Sequence, residues 1–195
     1  MRMLVVYCHP VPESFCAALR DTALEVFRRR GDELRLVDLY AEGFDPVMTC
    51  DERRGYNDGP PADPALVPYV EHLKWAEAVL FVYPTWWYGL PAMLKGFFDR
   101  VWATGVAFDL ASDGGRIVSR ISHITRIGVV TTCGAPRLWS FLIGQPGRKT
   151  ILRGMRALCA KRSRTLYLAH YDMDRSTPAS RAAFLEKVRR RLERF

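Results

Sequence analysis

The chain has 195 residues, of which 49% are hydrophobic and 26% are charged, and its formal net charge is +8. These values are ordinary for a single globular domain and argue against a disordered or collagen-like chain. The five cysteines are scattered and form no C-x-x-C pair, which argues against a disulfide framework and against a zinc site.

The same features bear on location and partners. No apolar run approaches the length of a membrane span, and the stretch before His9 is too short for a signal peptide, so a cytoplasmic protein is expected. The clusters Arg28–Arg30 and Arg189–Arg191 end predicted helices, where the helix dipole favours cations. We therefore expect no nucleic-acid partner and no membrane insertion. The four histidines are not at metal-ligand spacing, so no metal is expected.

Strands and helices alternate along the chain. The predicted order is a strand at 3–8, a helix from Ser14 to Gly31, a strand at 33–39, a short helix near Asp51, a helix at 66–75, a strand at 78–83, a helix at 91–102, a strand at 127–132, a helix at 150–160, a strand at 164–169 and a helix from 177. Strands that are continuous apolar runs between helices are typical of a parallel sheet covered on both faces. The sequence thus predicts one flavodoxin-like α/β domain over residues 1–195, with doubly wound strand order 2-1-3-4-5.

Ligands of such sheets bind beyond the carboxyl ends of the strands, next to the point where strand order reverses. Three predicted loops converge there: His9–Cys16, Pro84–Leu90 and Thr131–Ala135. The first offers a helix N-terminus to a phosphate, the second offers aromatic rings to a flat ligand, and the third offers hydroxyls and a glycine.

Each segment also has an ordinary structural interpretation. His9 could bond local backbone, and Ser14 could simply cap its helix. The aromatic run Trp86–Tyr88 could be core or an interface patch, and the two threonines could end a strand. Their position on one edge of one sheet favours a planar, anionic ligand over these alternatives.

Four separated segments resemble the NAD(P)H:quinone oxidoreductase family, in its DT-diaphorase-like branch. They are FVYPTWWYGLPAMLKGFFDRV from Phe81 to Val101, HPVPESF from His9 to Phe15, DLYAEGFDPV from Asp38 to Val47, and TTCG from Thr131 to Gly134. The resemblance covers nearly the whole chain and implies a flavoprotein that reduces quinones or similar aromatic acceptors by two electrons. NAD(P)H would reduce the flavin and leave before the acceptor binds, a ping-pong mechanism, usually in a homodimer with the site at the interface.

The resemblance also implies roles for individual residues. Those implied to bind the flavin are His9, Ser14, Phe15, Cys16, Pro84, Thr85, Trp86, Trp87, Tyr88, Thr131, Thr132, Cys133 and Gly134. Asp99 and Arg181 fall where larger members contact the adenine half of FAD, which favours FAD over FMN. Asp99 could instead pair with a cation on its own helix, and Arg181 could be a solvated residue.

The chain departs from the family pattern at three positions. Cys16 replaces an Asn beside the phosphates, while Trp139 and Gln145 replace the Tyr and His that move protons in well-studied animal members. Neither replacement is a proton donor of the same kind. We therefore expect Trp87, Tyr88 and Trp139 to shape the catalytic pocket, with protons passing through Tyr88 or water.

Other functions stay open from the sequence alone. A general flavin reductase would use the same fold, and some relatives in this family regulate a potassium-efflux channel as accessory subunits. Nucleic-acid binding is suggested only by net charge.

Overall fold

The computed structural model describes residues 1–111 and 116–195 and is built on a five-stranded parallel sheet. Its strands are β1 (Arg2–Tyr7), β2 (Glu33–Asp38), β3 (Ala78–Thr85), β6 (Arg126–Cys133) and β7 (Arg164–His170), in the order β2-β1-β3-β6-β7. Two further strands, β4 (Phe108–Leu110) and β5 (Ile117–Ser119), form a separate antiparallel hairpin. The predicted fold class and strand order are confirmed, because the hairpin adds nothing to the parallel sheet.

Helices connect the strands and cover both faces of the sheet. They are α1 (Phe15–Arg29), α2 (Cys50–Arg54), α3 (Val67–Trp75), α4 (Ala92–Val101), α5 (Arg137–Leu142), α6 (Pro146–Lys149) and α7 (Pro178–Leu192). Successive side chains along β1 and β3 point to opposite faces of the sheet, so each strand contributes to two apolar cores. Leu4 and Phe81 pack with α3 and α4, whereas Val5 and Leu80 pack with α1 and α7.

Local signals account for where the helices begin and end. Ser14 caps α1, because its hydroxyl accepts a hydrogen bond from the Ala17 N–H at 3.2 Å. Gly31 follows the end of α1 with φ of 76°, a conformation that glycine adopts without strain. Thr177 and Ser180 form a reciprocal cap at the start of α7, with Pro178 in its first turn. The predicted starts of α1 and α7 are thereby confirmed.

The structure differs from the sequence-based expectation in three places. The helix predicted over 150–160 begins earlier as α6, then continues as a π-helical turn at Thr150–Gly154 and a 3₁₀ turn at Met155–Leu158. Helix α5 lies between the strand predicted at 127–132 and the helix predicted at 150–160, where no helix was expected, and the β4–β5 hairpin was not predicted at all. No described helix has the length and apolar character needed to cross a bilayer.

The register of the sheet brings four strand ends to one edge. Tyr7 pairs with Val82, Tyr83 with Thr131, and Thr132 with His170. The loops after β1, β3, β6 and β7 therefore emerge side by side, which is the arrangement required for the expected site.

Candidate functional site

A cavity of about 890 Å³ lies among these loops. It is lined by His9, Pro84, Thr85, Trp86, Trp87, Tyr88, Thr132, Cys133, Gly134, Ala135, Met173 and Asp174. The volume falls within the range of roughly 300–1,000 Å³ that small-molecule and cofactor sites occupy. The three loops singled out from the sequence thus each contribute to one concave site.

The turn after β3 forms one wall of the cavity and holds two aromatic residues in an unusual conformation. Trp87 and Tyr88 have φ of 49° and 62°, and the Gly89 N–H closes the turn on the Trp86 carbonyl at 2.9 Å. Positive φ at two central residues is the pattern of a type I′ turn, which usually carries Asn and Gly. The Trp87 side chain is 95% exposed, so no burial of this indole compensates for the strain.

Contacts from β6 and α6 fix the position of this turn. The hydroxyls of Thr85 and Thr131 lie 2.9 Å apart across the sheet. Behind the turn, a Cβ built on Gly147 would lie 3.2 Å from the Gly89 carbonyl carbon, so any larger residue there would push the Gly89 backbone away by a few tenths of an ångström. Thr131 therefore supports the wall from behind and does not line the cavity.

A second wall comes from the loop after β6, together with residues that follow β7. A Cβ built on Gly134 would lie 2.9 Å from the Asp174 carboxylate, so this glycine leaves room for that side chain. Asp174 and Met173 line the cavity but were missed in the sequence analysis, whereas Ala135 lies in the predicted third loop but was not assigned a role there. The signal that could have found the first two is strand order, since the fifth strand must end beside the fourth.

His9 contributes an imidazole to the cavity rim. Its Nδ1 accepts the Val11 N–H at 3.0 Å, so the alternative of a local backbone contact is realised. Burial lowers the pKa of His9 below its ordinary value, which favours the neutral ring near pH 7. With Nδ1 acting as acceptor, the proton of the neutral ring belongs on Nε2, which makes that atom a donor.

The start of α1 lies next to the cavity but does not line it. The Ser14 hydroxyl caps the helix, and Phe15 packs edge-on against His170 with ring centroids 5.5 Å apart. Cys16 is buried, with its Sγ 3.4 Å from the Thr132 hydroxyl, and burial raises the pKa of the Cys16 thiol to about 11. The thiol is therefore neutral, and what α1 offers to a ligand is its first-turn N–H groups and positive dipole.

One hydrogen bond links α5 to the site, and a second joins Gln145, before α6, to Tyr171, which does not line the cavity. The Trp139 Nε1–H donates to the Tyr88 hydroxyl at 2.9 Å, and the Gln145 amide donates to the Tyr171 hydroxyl at 2.9 Å. An indole N–H can only donate, so the Tyr88 oxygen is the acceptor and keeps its own proton for another partner. Trp139 thus acts on the cavity through Tyr88, without lining it.

The two residues expected to contact an adenine lie outside this cavity and have local partners. The Asp99 carboxylate binds Lys95 Nζ at 2.5 and 2.7 Å on α4, and Arg181 donates to the Ser176 hydroxyl at 2.9 Å. The alternative interpretation of Asp99 as half of a helix-surface ion pair is therefore realised in this structure. Among the described residues, no group of three or more His, Cys, Asp or Glu side chains could hold a metal ion.

Comparison with known proteins decides the family. Residues 1–192 match the model of a family described as having a flavodoxin-like fold. The chain belongs to this flavodoxin-like family.

Two proteins that are similar to this chain are named as NAD(P)H oxidoreductases. NAD(P)H dehydrogenase (quinone) 1 of Rattus norvegicus is 28% identical over 216 residues, which cover 98% of this chain and 76% of the rat protein. An uncharacterized NAD(P)H oxidoreductase of Escherichia coli K12 is 33% identical over 129 residues, covering 65% of this chain and 64% of that protein. The crystal structure of Smu.1420 from Streptococcus mutans UA159 superposes with a TM-score of 0.86 at 27% identity, over the full length of both chains.

The resemblance inferred from the sequence is confirmed by these matches. The chain is an oxidoreductase of the type named NAD(P)H dehydrogenase (quinone), on a flavodoxin-like fold.

Proposed function

We propose that the protein is a flavin-dependent NAD(P)H oxidoreductase that reduces quinones or similar aromatic acceptors by hydride transfer in a ping-pong cycle. The observation that carries this proposal is the 890 Å³ cavity at the carboxyl ends of the sheet strands. One of its walls is the aromatic turn Trp86–Tyr88, and another is the loop from Thr132 to Gly134. A bound flavin would accept a hydride from NAD(P)H and pass it to the second substrate, which is chemistry that no side chain of this chain can supply.

The lining residues fit a flat, polar-edged ring. Trp86, Trp87 and Tyr88 would flank the ring system, and Pro84 and Thr85 would contact its edge through their backbone groups. On the other side the ring would meet the loop from Thr132 to Gly134. His9 and the first turn of α1, from Ser14 to Cys16, would receive the phosphate, where N–H donors and the helix dipole favour an anion.

We propose FMN as the bound form. FAD would require an adenine site at Asp99 and Arg181, as the resemblance implied, but Asp99 is engaged by Lys95 and Arg181 by Ser176. FMN ends at its phosphate and needs neither residue. Chromatography of the chromophore that denatured protein releases distinguishes FMN from FAD.

Tyr88 is the residue we assign to proton delivery. Its oxygen accepts the Trp139 N–H, which leaves the phenol proton free to be donated to an acceptor oxygen at the mouth of the cavity. In that step the Tyr88 O–H bond breaks, an O–H bond forms on the acceptor, and solvent then returns a proton to Tyr88. This assignment replaces the Tyr and His pair of the animal members with one tyrosine oriented by an indole.

An absorbance spectrum of the purified protein tests the proposal first. We expect flavin bands that bleach anaerobically with NAD(P)H and return on adding a quinone, with parallel double-reciprocal plots across acceptor concentrations. Trp87→Ala should release flavin more readily, whereas Trp75→Phe, an indole at the end of α3, should retain it. A colourless protein that binds neither added FMN nor FAD would refute the flavin proposal. A flavin that leaves reduced at every turnover would indicate a general flavin reductase instead.

The homodimer implied by the resemblance stays a prediction. Sedimentation equilibrium across a range of protein concentrations measures it directly.

A further inference from the structure

Helix α5 has the reverse of the usual distribution of polar and apolar side chains. Its neighbourhood exposes Leu138 (71%), Trp139 (53%), Phe141 (68%), Leu142 (65%) and Ile143 (44%). The polar residue among them, Ser140, is buried, with its hydroxyl 3.4 Å from Cys133 Sγ. Soluble surfaces rarely present so many adjacent large apolar side chains, and such a patch marks a site of association.

The charge of the chain is concentrated around the same segment. Between Asp113 and Asp172 the sequence has no Asp or Glu but has eleven Lys and Arg residues. The rest of the chain balances 18 basic residues against all 21 acidic ones. The net charge of +8 therefore comes entirely from this acid-free stretch, in which α5 and α6 lie.

A groove of about 750 Å³ runs beside α5 and gathers cations from three helices. Its lining includes Arg137, Arg148 and Lys187 together with the apolar side chains of Leu138 and Phe141. Arg137, Arg148 and Lys187 form no ion pair with any carboxylate in the part of the chain that the structure describes. The groove thus joins unneutralised cations to apolar walls, which suits an anionic group attached to a hydrocarbon body.

Lys149 adds a fourth cation at the end of α5. A Cβ built on Gly144 would lie 3.1 Å from Lys149 Nζ, so this ammonium sits against the backbone that leaves the helix. Exposed apolar side chains flanked by arginine and lysine are the pattern of a segment that lies in a membrane interface without crossing it.

We propose that α5 and this groove dock the protein on a bilayer containing anionic phospholipid. Leu138, Phe141 and Leu142 would enter the acyl region, and a phosphate headgroup would occupy the groove among Arg137, Arg148 and Lys187. The docking surface is separate from the flavin cavity but adjoins it, because Trp139 on α5 bonds Tyr88. The docking proposal holds whether or not the cavity binds a flavin. If the proposed function is correct, docking turns the cavity toward acceptors dissolved in the bilayer.

A second copy of the chain fits this face less well. A symmetric contact through α5 would bring two positively charged faces together, and the stretch from 114 to 171 has no Asp or Glu to neutralise Arg137, Arg148 and Lys149. Nucleic acid would satisfy the cations but not the exposed leucines and phenylalanine. An anionic lipid surface matches both features.

Co-sedimentation of the full-length protein with lipid vesicles tests the proposal. We expect binding to vesicles of phosphatidylcholine mixed with phosphatidylglycerol, weak binding to phosphatidylcholine alone, and loss of binding at high salt.

Arg137→Gln and Lys187→Gln should each weaken binding about fivefold, since each interfacial cation contributes about that factor. Leu142→Ser should weaken binding about tenfold through lost apolar burial. Trp139 fluorescence should shift to the blue with anionic vesicles, and Trp139→Phe should remove that shift.

Matched controls distinguish the docking surface from general stickiness. Val47→Ser removes an apolar side chain that is 66% exposed, against 65% for Leu142, and Arg54→Gln removes one exposed cation elsewhere. Both should bind vesicles like the parent protein, and inorganic phosphate should not replace the vesicles in shifting Trp139 fluorescence.

The proposal is overturned if Leu142→Ser and Val47→Ser bind equally well. It is also overturned if Leu142→Ser converts a dimer to a monomer without weakening vesicle binding, since α5 would then be an interface between copies. Salt-dependent DNA binding with no vesicle binding would assign the cations to nucleic acid instead.

Discussion

Single residues carry strain where the cavity meets solvent. Trp87 and Tyr88 adopt the left-handed conformation, which costs an L-residue roughly 1–2 kcal/mol because Cβ crowds the following carbonyl. Neither the sequence nor ordinary turn chemistry predicts this, because aromatic residues are not the ones that type I′ turns select. Strained residues of this kind are found where function requires a fixed geometry.

Replacing Trp87 by Asn should separate stability from function. Asn tolerates the left-handed region, and Trp87 buries almost nothing, so Trp87→Asn should raise the free energy of unfolding by about 0.5–1 kcal/mol. The same change should weaken flavin retention, because an aromatic wall of the cavity is lost. Urea unfolding and FMN titration measure the two effects. Trp86→Asn is the control and should destabilise, since Trp86 has no positive φ to relieve. A Trp87→Asn protein less stable than the parent would contradict the strain argument.

The hydrogen bond between Trp139 and Tyr88 gives a kinetic prediction. Trp139→Phe removes a neutral hydrogen bond of about 1 kcal/mol, so oxidation of the reduced flavin by a quinone should slow about fivefold. Tyr88→Phe removes the proton donor and should slow that half-reaction further. Reduction of the flavin by NAD(P)H should be unchanged in both variants, as stopped-flow absorbance can show. Equal slowing of both half-reactions would mean that Tyr88 only positions the ring.

At the scale of elements, the sequence predicted well what is buried on both sides and poorly what is exposed. The central strands β1, β3 and β6 were found because residues such as Val79 and Val129 belong to apolar runs, whereas the edge strand β2 was found from its alternating pattern. Helix α5 was missed because its apolar side chains face solvent and have no periodicity directed at a core. The hairpin of β4 and β5 was missed because each strand has only three residues and none of them is buried. Met173 and Asp174 reach the cavity through strand order, which local patterns do not encode.

One ion-pair cluster holds the long loop between β2 and α3 against α4. The buried Arg100 donates to Glu52 at 2.7 and 2.9 Å, to Asp63 at 2.7 Å and to the Asp45 carbonyl. Burial acts to raise the pKa of Glu52, but the Thr49 N–H and the Arg100 guanidinium outweigh it, and the pKa lies below the ordinary value of 4.5. A carboxylate with a lowered pKa stabilises the fold above its unfolded pKa and loses that contribution as pH falls through the folded value.

The pH dependence of unfolding should therefore change when this cluster is altered. Glu52→Gln should flatten the loss of stability below about pH 4.5, because no proton is then taken up at this position on unfolding. Arg100→Met should cost about 3 kcal/mol at neutral pH, since two carboxylates lose their cation. Urea denaturation at several pH values measures both. Asp51→Asn, which removes an exposed carboxylate paired with Arg54, is the control and should leave the acid slope unchanged. A parallel acid slope in Glu52→Gln would rule out this cluster as the cause.

At the scale of the whole molecule, the two faces of the sheet are closed by parts of the chain far apart in sequence. Arg30, after α1, donates to main-chain oxygens of Leu192 and Phe195 at 2.7 and 2.6 Å and pairs with Asp32. Asp32 in turn binds the N-terminal ammonium at 3.2 Å. One face of the sheet thus depends on contacts among β1, α1, β2 and the residues after α7.

Replacing Phe195 measures how much the packing of the C-terminal residues on the sheet stabilises the fold. Its ring is 4% exposed and lies over Gly128 in β6, where a built Cβ would come within 3.0 Å of the ring. Phe195→Ala should lower the free energy of unfolding by about 3–4 kcal/mol, because it removes a buried ring and leaves a cavity over a central strand. Arg194→Ala, one residue earlier and exposed, should change it by less than about 0.5 kcal/mol. Urea unfolding of both variants, with unchanged m-values, measures the difference. Equal stability of the two variants would mean that the ring contributes little to the core and that the main-chain bonds from Arg30 suffice to close this face.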